Sequence, residues 1–353
     1  MIPQLFYTII SVYLLRKMSI CDIKYNRKIL EEVYVQLEEM NFSNIINQND
    51  NIKRIIPRLL KDQTTGKNIV WATDTYQFCG SEYDKQKQMN EINSIKLIKD
   101  GIMLPRIMKT KEQQDERTKV KAEVFTPSWI CNKMNNYCDE QWFKRKNVFN
   151  IENSDNTWTT INKKIEFDND SDKEWKKYID SRRIEITCGE APYIVSRYDA
   201  TTGKKLKIND RIGILDRKLR IVNENTDNEN DWLKWTYRAY ESVYGFEFQG
   251  DNLFFARLNL VQTFIDYYYA RFSKEPTNKM IDKITNIVSW NIWQMDGLKD
   301  TIPFEMPKDE FQQISFLEIF SSIEKEESKS VYCKIKDWRA NKVIEYRSMK
   351  DSR

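Results

Sequence analysis

A recurring order of strand, tight turn and helix between residues 183 and 297 narrows the fold more than anything else in this chain. Arg183-Ile-Glu-Ile-Thr187 is rich in β-branched residues and alternates polar with apolar, which predicts a short strand. Cys188-Gly-Glu190 predicts a turn, with a helix from about Ala191. Trp232 to Tyr244 predicts a second helix and Gly245-Phe-Glu-Phe248 a second strand. Asp251 to Arg271 predicts a long helix capped by Asp251, with Leu253, Ala256 or Arg257, Leu260, Phe264 and Tyr267 on one face. Thr285 to Trp293 predicts a third strand, ending at the turn Met295-Asp-Gly297, and the Trp290 and Trp293 rings read as core. Strands alternating with helices define an α/β domain.

The chemistry open to such a domain is limited by one number: the chain has no histidine. Ser-His-Asp and Cys-His catalysis and His-ligated zinc are therefore excluded. The six cysteines (Cys21, Cys79, Cys131, Cys138, Cys188 and Cys333) form no CxxC pair, so reduced thiols in a cytoplasmic protein are expected. Lys and Arg total 57 against 53 acids, a net charge of +4 that by itself names no nucleic-acid partner. Residues 182–220 are different: ten cations (Arg182, Arg183, Arg197, Lys204, Lys205, Lys207, Arg211, Arg217, Lys218, Arg220) face five acids. They read either as a path for a phosphate backbone or as a set of solvated loops.

Upstream, Ile2 to Leu15 is apolar but short for a membrane span, and Arg16 and Lys17 follow it instead of preceding it. It reads as a buried element or as an over-extended start, with translation beginning at Met18, and not as a membrane anchor. Leu30, Val33, Leu37 and Met40 predict an amphipathic helix over 28–40, and a basic helix is expected around Ile52 to Lys61, with Pro57 in it or at its start. Asp62 to Asn68 lacks the first glycine of a P-loop and reads as a turn before a strand-like Ile69-Val-Trp71. Lys109 to Lys121 is a charge run without apolar period, hence a linker or solvated arm. Thr126 and Pro127 suit the N-cap and first position of a helix carrying Ile130, Met134, Tyr137 and Trp142. Residues 147–180, rich in Asn, Asp and Lys, read as an exposed insertion.

Ligands of open α/β sheets bind beyond the carboxyl ends of the strands. A Gly turn at Gly189 lets backbone N–H groups approach a ligand, and an acid ending the next strand, Glu247, can accept both hydroxyls of a ribose. With no G-x-G-x-x-G, the layout suits an adenosine-bearing cofactor without a pyrophosphate.

Four segments in this order resemble the adenine-N6 DNA methyltransferases that serve as modification (M) subunits of restriction–modification systems. Glu123-Val-Phe125-Thr126-Pro127 resembles the motif that embraces the cofactor. Glu185-Ile-Thr187-Cys188-Gly189 resembles the loop holding the methionine part of S-adenosylmethionine. Tyr244 to Arg257, with Glu247 and Phe248, resembles the ribose-binding segment, and Gln294-Met-Asp296-Gly297-Leu298 the element near the adenine. The resemblance spans roughly residues 95–300. It implies a Rossmann-like S-adenosylmethionine-dependent methyltransferase fold with a helical N-terminal extension: 1–108 mainly helical, 109–305 the cofactor-binding domain, 306–353 a C-terminal extension. It also implies double-stranded DNA as partner, with restriction or specificity subunits beside it.

The chain departs from that family twice. Gly189-Glu190-Ala191-Pro192 replaces the expected Gly-x-Gly, and none of the eight prolines is adjacent to another, so the catalytic Asn-Pro-Pro-Tyr is absent. That motif accepts the hydrogens of the adenine amino group and stacks on the flipped base. Thr301-Ile-Pro-Phe304 is the only short stretch with a proline and an aromatic at similar offsets. Two functions follow: an adenine-N6 DNA methyltransferase, or a catalytically degenerate cofactor- and DNA-binding subunit of the same kind of complex.

Overall fold

The computed structural model describes residues 50–109, 117–118, 126–167, 172–307 and 331–350. The predicted helix over 28–40, the apolar run at 2–15, most of the charge run at 109–121 and Phe125 lie outside these residues. From Asn51 onward the chain belongs to one compact unit.

Its centre is a three-stranded, wholly parallel sheet in the order β3 (Arg183–Glu185), β4 (Val243–Glu247), β5 (Ile292–Gln294). Every residue of β4 is buried, as expected of a parallel strand covered on both faces. Parallel neighbours need long crossovers. Here α5 (Ile214–Asn225) and α6 (Glu229–Glu241) connect β3 to β4, and α7 (Gly250–Phe272) and α8 (Asn278–Asn291) connect β4 to β5. Asn228 starts α6 by accepting the Asp231 amide, and Thr277 starts α8 by accepting that of Met280. The architecture is α/β.

Ahead of the sheet stand α1 (Asp50–Leu59, with Pro57 inside it), α2 (Glu91–Lys99), α3 (Ser128–Phe143), the hairpin β1 (Asn150–Glu152) and β2 (Trp158–Thr160), and α4 (Asp172–Asp180). After it comes the antiparallel hairpin β6 (Lys334–Asp337) and β7 (Lys342–Glu345). Ile69-Val-Trp71 forms no strand, only a bridge from Val70 to Gln88.

The register sorts the sheet's faces. Ile184 pairs with Tyr244, and Phe246 with Trp293, so these side chains share one face. Ile335, Ile344 and Tyr346 of the β6–β7 region close the part of that face over Phe246 and Trp293. The helices α6, α7 and α8 form a layer packed on the sheet. Arg257, fully buried on α7, ties this layer together: Nε donates to Ile292 O at 2.7 Å and Nη1 to Leu59 O at 2.6 Å. Burial lowers that guanidinium to about 10.

Four expectations need correction. Residues 285–291 are helical, because Ile281, Ile284, Thr285 and Val288 bury one face at helical spacing and the Thr277 cap starts the turn; only Ile292–Gln294 remains a strand. No helix begins near Ala191. That residue takes φ +65° directly before Pro192, and the next α-helix waits until Ile214. Pro127 is the N-cap of α3 and the helix starts at Ser128, so Thr126 is no cap. The segment 147–180 is exposed over 151–157 but docked at both ends: Asn150 exchanges two side-chain bonds with Asn132, and Trp175, Tyr178 and Ile179 are buried.

Candidate functional site

The carboxyl ends of β3, β4 and β5 come together because the strands are parallel and in register. Glu185 ends β3, Glu247 ends β4, and Met295, directly after β5, donates its amide to Glu247 O at 3.0 Å.

Glu247 is buried, and its two oxygens are held by backbone donors. Gly189 N lies 2.9 Å from Oε2 and Gln249 N 3.0 Å from Oε1. The first bond links the loop after β3 to the end of β4. The Cys188 amide adds a second link, donating to Phe246 O at 2.8 Å. These bonds stabilise a loop of unusual backbone: Thr187, Gly189 and Ala191 have φ of +49°, +53° and +65°. Only glycine adopts such values without penalty, and for β-branched Thr187 the conformation is strained.

Glu185 is more exceptional. It is buried, its Oε2 has no hydrogen-bond partner, and the Glu247 carboxylate acts on it as a like charge. Burial pushes its carboxyl well above the usual range and Glu247 pushes the same way, against the amides of Tyr193 and Ile194. Cys188 is packed as a small buried residue, and burial, with both acids adding, raises its thiol far above the ordinary value.

The remaining expected site residues lie around this pair. Thr126 lies beside the Tyr193 side chain, and Asn135 of α3 donates to Tyr193 O at 3.0 Å, which brings α3 to the loop after β3. Phe248 is half-buried, with the Phe304 ring edge-on at 5.8 Å. Thr187 is exposed and its hydroxyl turns back to Ile186 O. Asp296 stands at the third strand end, but its side chain is used in its own turn, accepting from Leu298 N at 3.1 Å. Glu190, the extra acid of this loop, accepts the Arg106 amide at 2.7 Å.

Sequence reasoning missed two supports. Gln294 clamps three backbone groups: Val70 N, Val70 O and Phe248 O, each within 2.9 Å. Its signal was available, an amide ending an apolar strand. Asp251, expected as a helix cap, instead sits in the first turn of α7, where Arg117 Nη1 (2.9 Å) and Tyr76 OH (2.7 Å) donate to it. Burial alone would raise its carboxyl, but the Arg117 and Lys109 charges hold it far below the usual range. Arg117 also donates to Gln249 Oε1 at 2.9 Å, so the pair braces the loop that carries Glu247. Nothing in the sequence ties residue 117 to residue 251. Gly250 is fixed by close approach: a Cβ there would stand 2.2 Å from Val70 O.

The ten cations of 182–220 do not form one basic surface. Arg197 and Arg211 pair with Asp266, Arg217 with Asp139, Arg220 with Glu224 and Arg182 with Asp337. Lys218 is buried among Ile179 O, Ser181 O and Ser242 Oγ, and burial lowers its ammonium well below the ordinary value. Arg183 lies over the Trp142 ring. Lys204, Lys205 and Lys207 are exposed, as is Arg182 beside its acid.

Among the described residues no group of acids and thiols could hold a metal ion, and no helix is long and apolar enough to cross a membrane. No family model, curated protein or solved structure matches the chain.

Proposed function

We propose that the chain is a methyltransferase-fold protein that binds S-adenosylmethionine at the carboxyl ends of β3 and β4, and that it acts as the adenine-N6 DNA methyltransferase (M) component of a restriction–modification system. The observation that carries this reading is the bond from Gly189 N to Glu247. It sets a strand-end carboxylate against a glycine loop on the neighbouring parallel strand, as a ribose-bearing ligand requires.

The residues fit the group chemically. Glu185 keeps an oxygen without a hydrogen-bond partner inside the protein, beside a second acid, so a ligand bringing positive charge and N–H donors relieves both defects. S-adenosylmethionine carries an ammonium and a sulfonium. Glu185, Cys188 and Gly189 would hold its amino-acid part, Glu247 its ribose, and Phe248 with Asp296 would lie toward its adenine. Bound there, it supplies an electrophilic methyl group. Thr126 and Pro127 would close over it from the α3 side.

The second reading is a catalytically degenerate subunit that binds cofactor and DNA for a partner. The missing Asn-Pro-Pro-Tyr favours it. Titration calorimetry with S-adenosylmethionine tests both. Removing a carboxylate that accepts two ligand hydroxyls costs about 3 kcal/mol, so Glu247→Ala should weaken binding at least about 100-fold. No binding to the wild-type chain would sink the methyltransferase reading. In an enzyme Glu247→Ala also abolishes methyl transfer to DNA assayed with partner subunits. In a scaffold it leaves DNA binding intact.

A further inference from the structure

Past the end of β5 lies a cavity of about 390 Å³, walled by residues 62–88 on one side and by the loop 302–305 on the other. Small-molecule sites commonly have this size. Four carboxamides line it, Asn68, Gln86, Gln88 and Gln294, together with the Phe304 ring. Part of that set is used inside the protein. Gln294 holds Val70 and Phe248, Gln88 Oε1 accepts the Asn68 amide at 3.1 Å, and Asn68 Nδ2 donates to Met89 O at 2.9 Å. What remains is an acceptor at Asn68 Oδ1, a donor at Gln88 Nε2 and the whole amide of the exposed Gln86. The Asp62 carboxylate is taken up by the Thr64 and Thr65 amides, and the other two charged residues of the wall, Lys67 and Glu305, are opposite in sign. Phe304 takes φ +71°, an outlier for an aromatic residue. Its turn is pinned by Thr301 Oγ1, which donates to Glu305 O at 3.2 Å, and by Ile302 N, which donates to Val331 O at 3.1 Å. The ring so held stays 39% exposed.

We propose that this cavity takes the nucleobase adenine, its ring face on Phe304 and its amino edge read by the carboxamides. A carboxamide sets an acceptor beside a donor, which matches the amino group and adjacent ring nitrogen of adenine. A phenyl ring offers the stacking face that a base uses. Opposite charges on the wall leave the choice to these neutral groups. Asn68, Gln86, Gln88 and Phe304 all lie outside the four segments that resemble methyltransferases. The base can come from two sources, the adenosine end of S-adenosylmethionine or a separate adenine nucleotide. The Phe304–Phe248 ring contact joins the cavity to the end of β4, as the first source requires. That source rests on the reading of Glu247 as the ribose acid, and the second does not.

The test uses the full chain with adenine and with hypoxanthine, which has a carbonyl in place of the amino group. Neither carries a ribose, so neither needs Glu247. Ligand-observed NMR titration should show adenine binding on the order of 10-fold tighter than hypoxanthine. Phe304→Ala should weaken adenine roughly 10-fold through lost stacking, and Gln86→Ala about 5-fold. Both side chains are exposed, so circular dichroism should stay unchanged. Competition assigns the source: S-adenosylmethionine displaces adenine if the base is the cofactor's, and the two bind together if it belongs to a separate nucleotide. Adenine binding without any S-adenosylmethionine binding leaves the cavity assigned and the methyltransferase reading refuted. No binding of adenine, equal affinity for the two bases, or adenine binding untouched by both variants overturns the proposal, whatever S-adenosylmethionine does.

Discussion

Two regions bury acids of the same kind to opposite effect. In the seam where α3 and α7 meet α5 and the loop before it, Asp139 takes Arg217 and Asp266 takes both Arg197 and Arg211. At the ends of β3 and β4, Glu185 and Glu247 lie near each other and are held by backbone amides. A buried acid matched by a guanidinium lowers the energy of the fold itself. A buried acid next to another acid raises it, and persists where a ligand brings the missing charge. The seam serves folding and the strand ends serve binding, although the sequence writes both with the same residue types.

The comparison breaks first at Arg217. Its guanidinium donates to Asp139 Oδ2 at 2.6 Å and to Asn132 and Asn136, and it lies over the Phe149 ring. Arg217→Ala strands Asp139 and should lower unfolding free energy by about 3–5 kcal/mol in urea titration. A loss under about 1 kcal/mol would show that the seam does not depend on its charges.

Asp266 sharpens the same point through pH. Burial alone would raise its carboxyl, but Arg197 and Arg211 hold it down to about 2. A folded value below the unfolded one means that the stabilisation is complete above the unfolded range near 4 and is lost as pH falls toward 2. The stability difference between wild type and Asp266→Asn should therefore shrink by about 2 kcal/mol over that interval. A difference independent of pH would refute the assignment.

What could be read from the sequence follows the same division. The strand expected at 245–248 and found at 243–247, the long helix after it and the strand-end place of Glu247 were legible, because apolar period and turn chemistry are local. The strand expected at 285–293 failed because a run such as Ile284 to Val288 suits a buried strand as well as one face of a helix, and only the Thr277 cap decides. The cations of 182–220 were misleading for a non-local reason. Arg197 and Arg211 find their acid at Asp266, and Arg217 finds Asp139 on a separate helix. Charge counted along a chain does not reveal which charges face each other. Arg117 on Asp251 was illegible on the same ground.

Glu185→Gln gives the smallest effect and the most informative one, because its sign is opposite to that of the seam. Burial and Glu247 raise the Glu185 carboxyl above its unfolded value, so the folded chain takes up a proton there. Its contribution is present at low pH and is lost as pH rises past the unfolded range near 4 toward the raised folded value. Glutamine mimics the protonated acid and carries no such loss. At neutral pH the variant should be more stable than wild type, and the advantage should vanish near pH 4. Saturating S-adenosylmethionine should reverse the order, because the ammonium stabilises a carboxylate and not an amide. Thermal unfolding with and without the compound reads both signs. A variant less stable than wild type in the absence of ligand would mean that Glu185 is a folding acid like Asp266, and the distinction between the two regions would collapse.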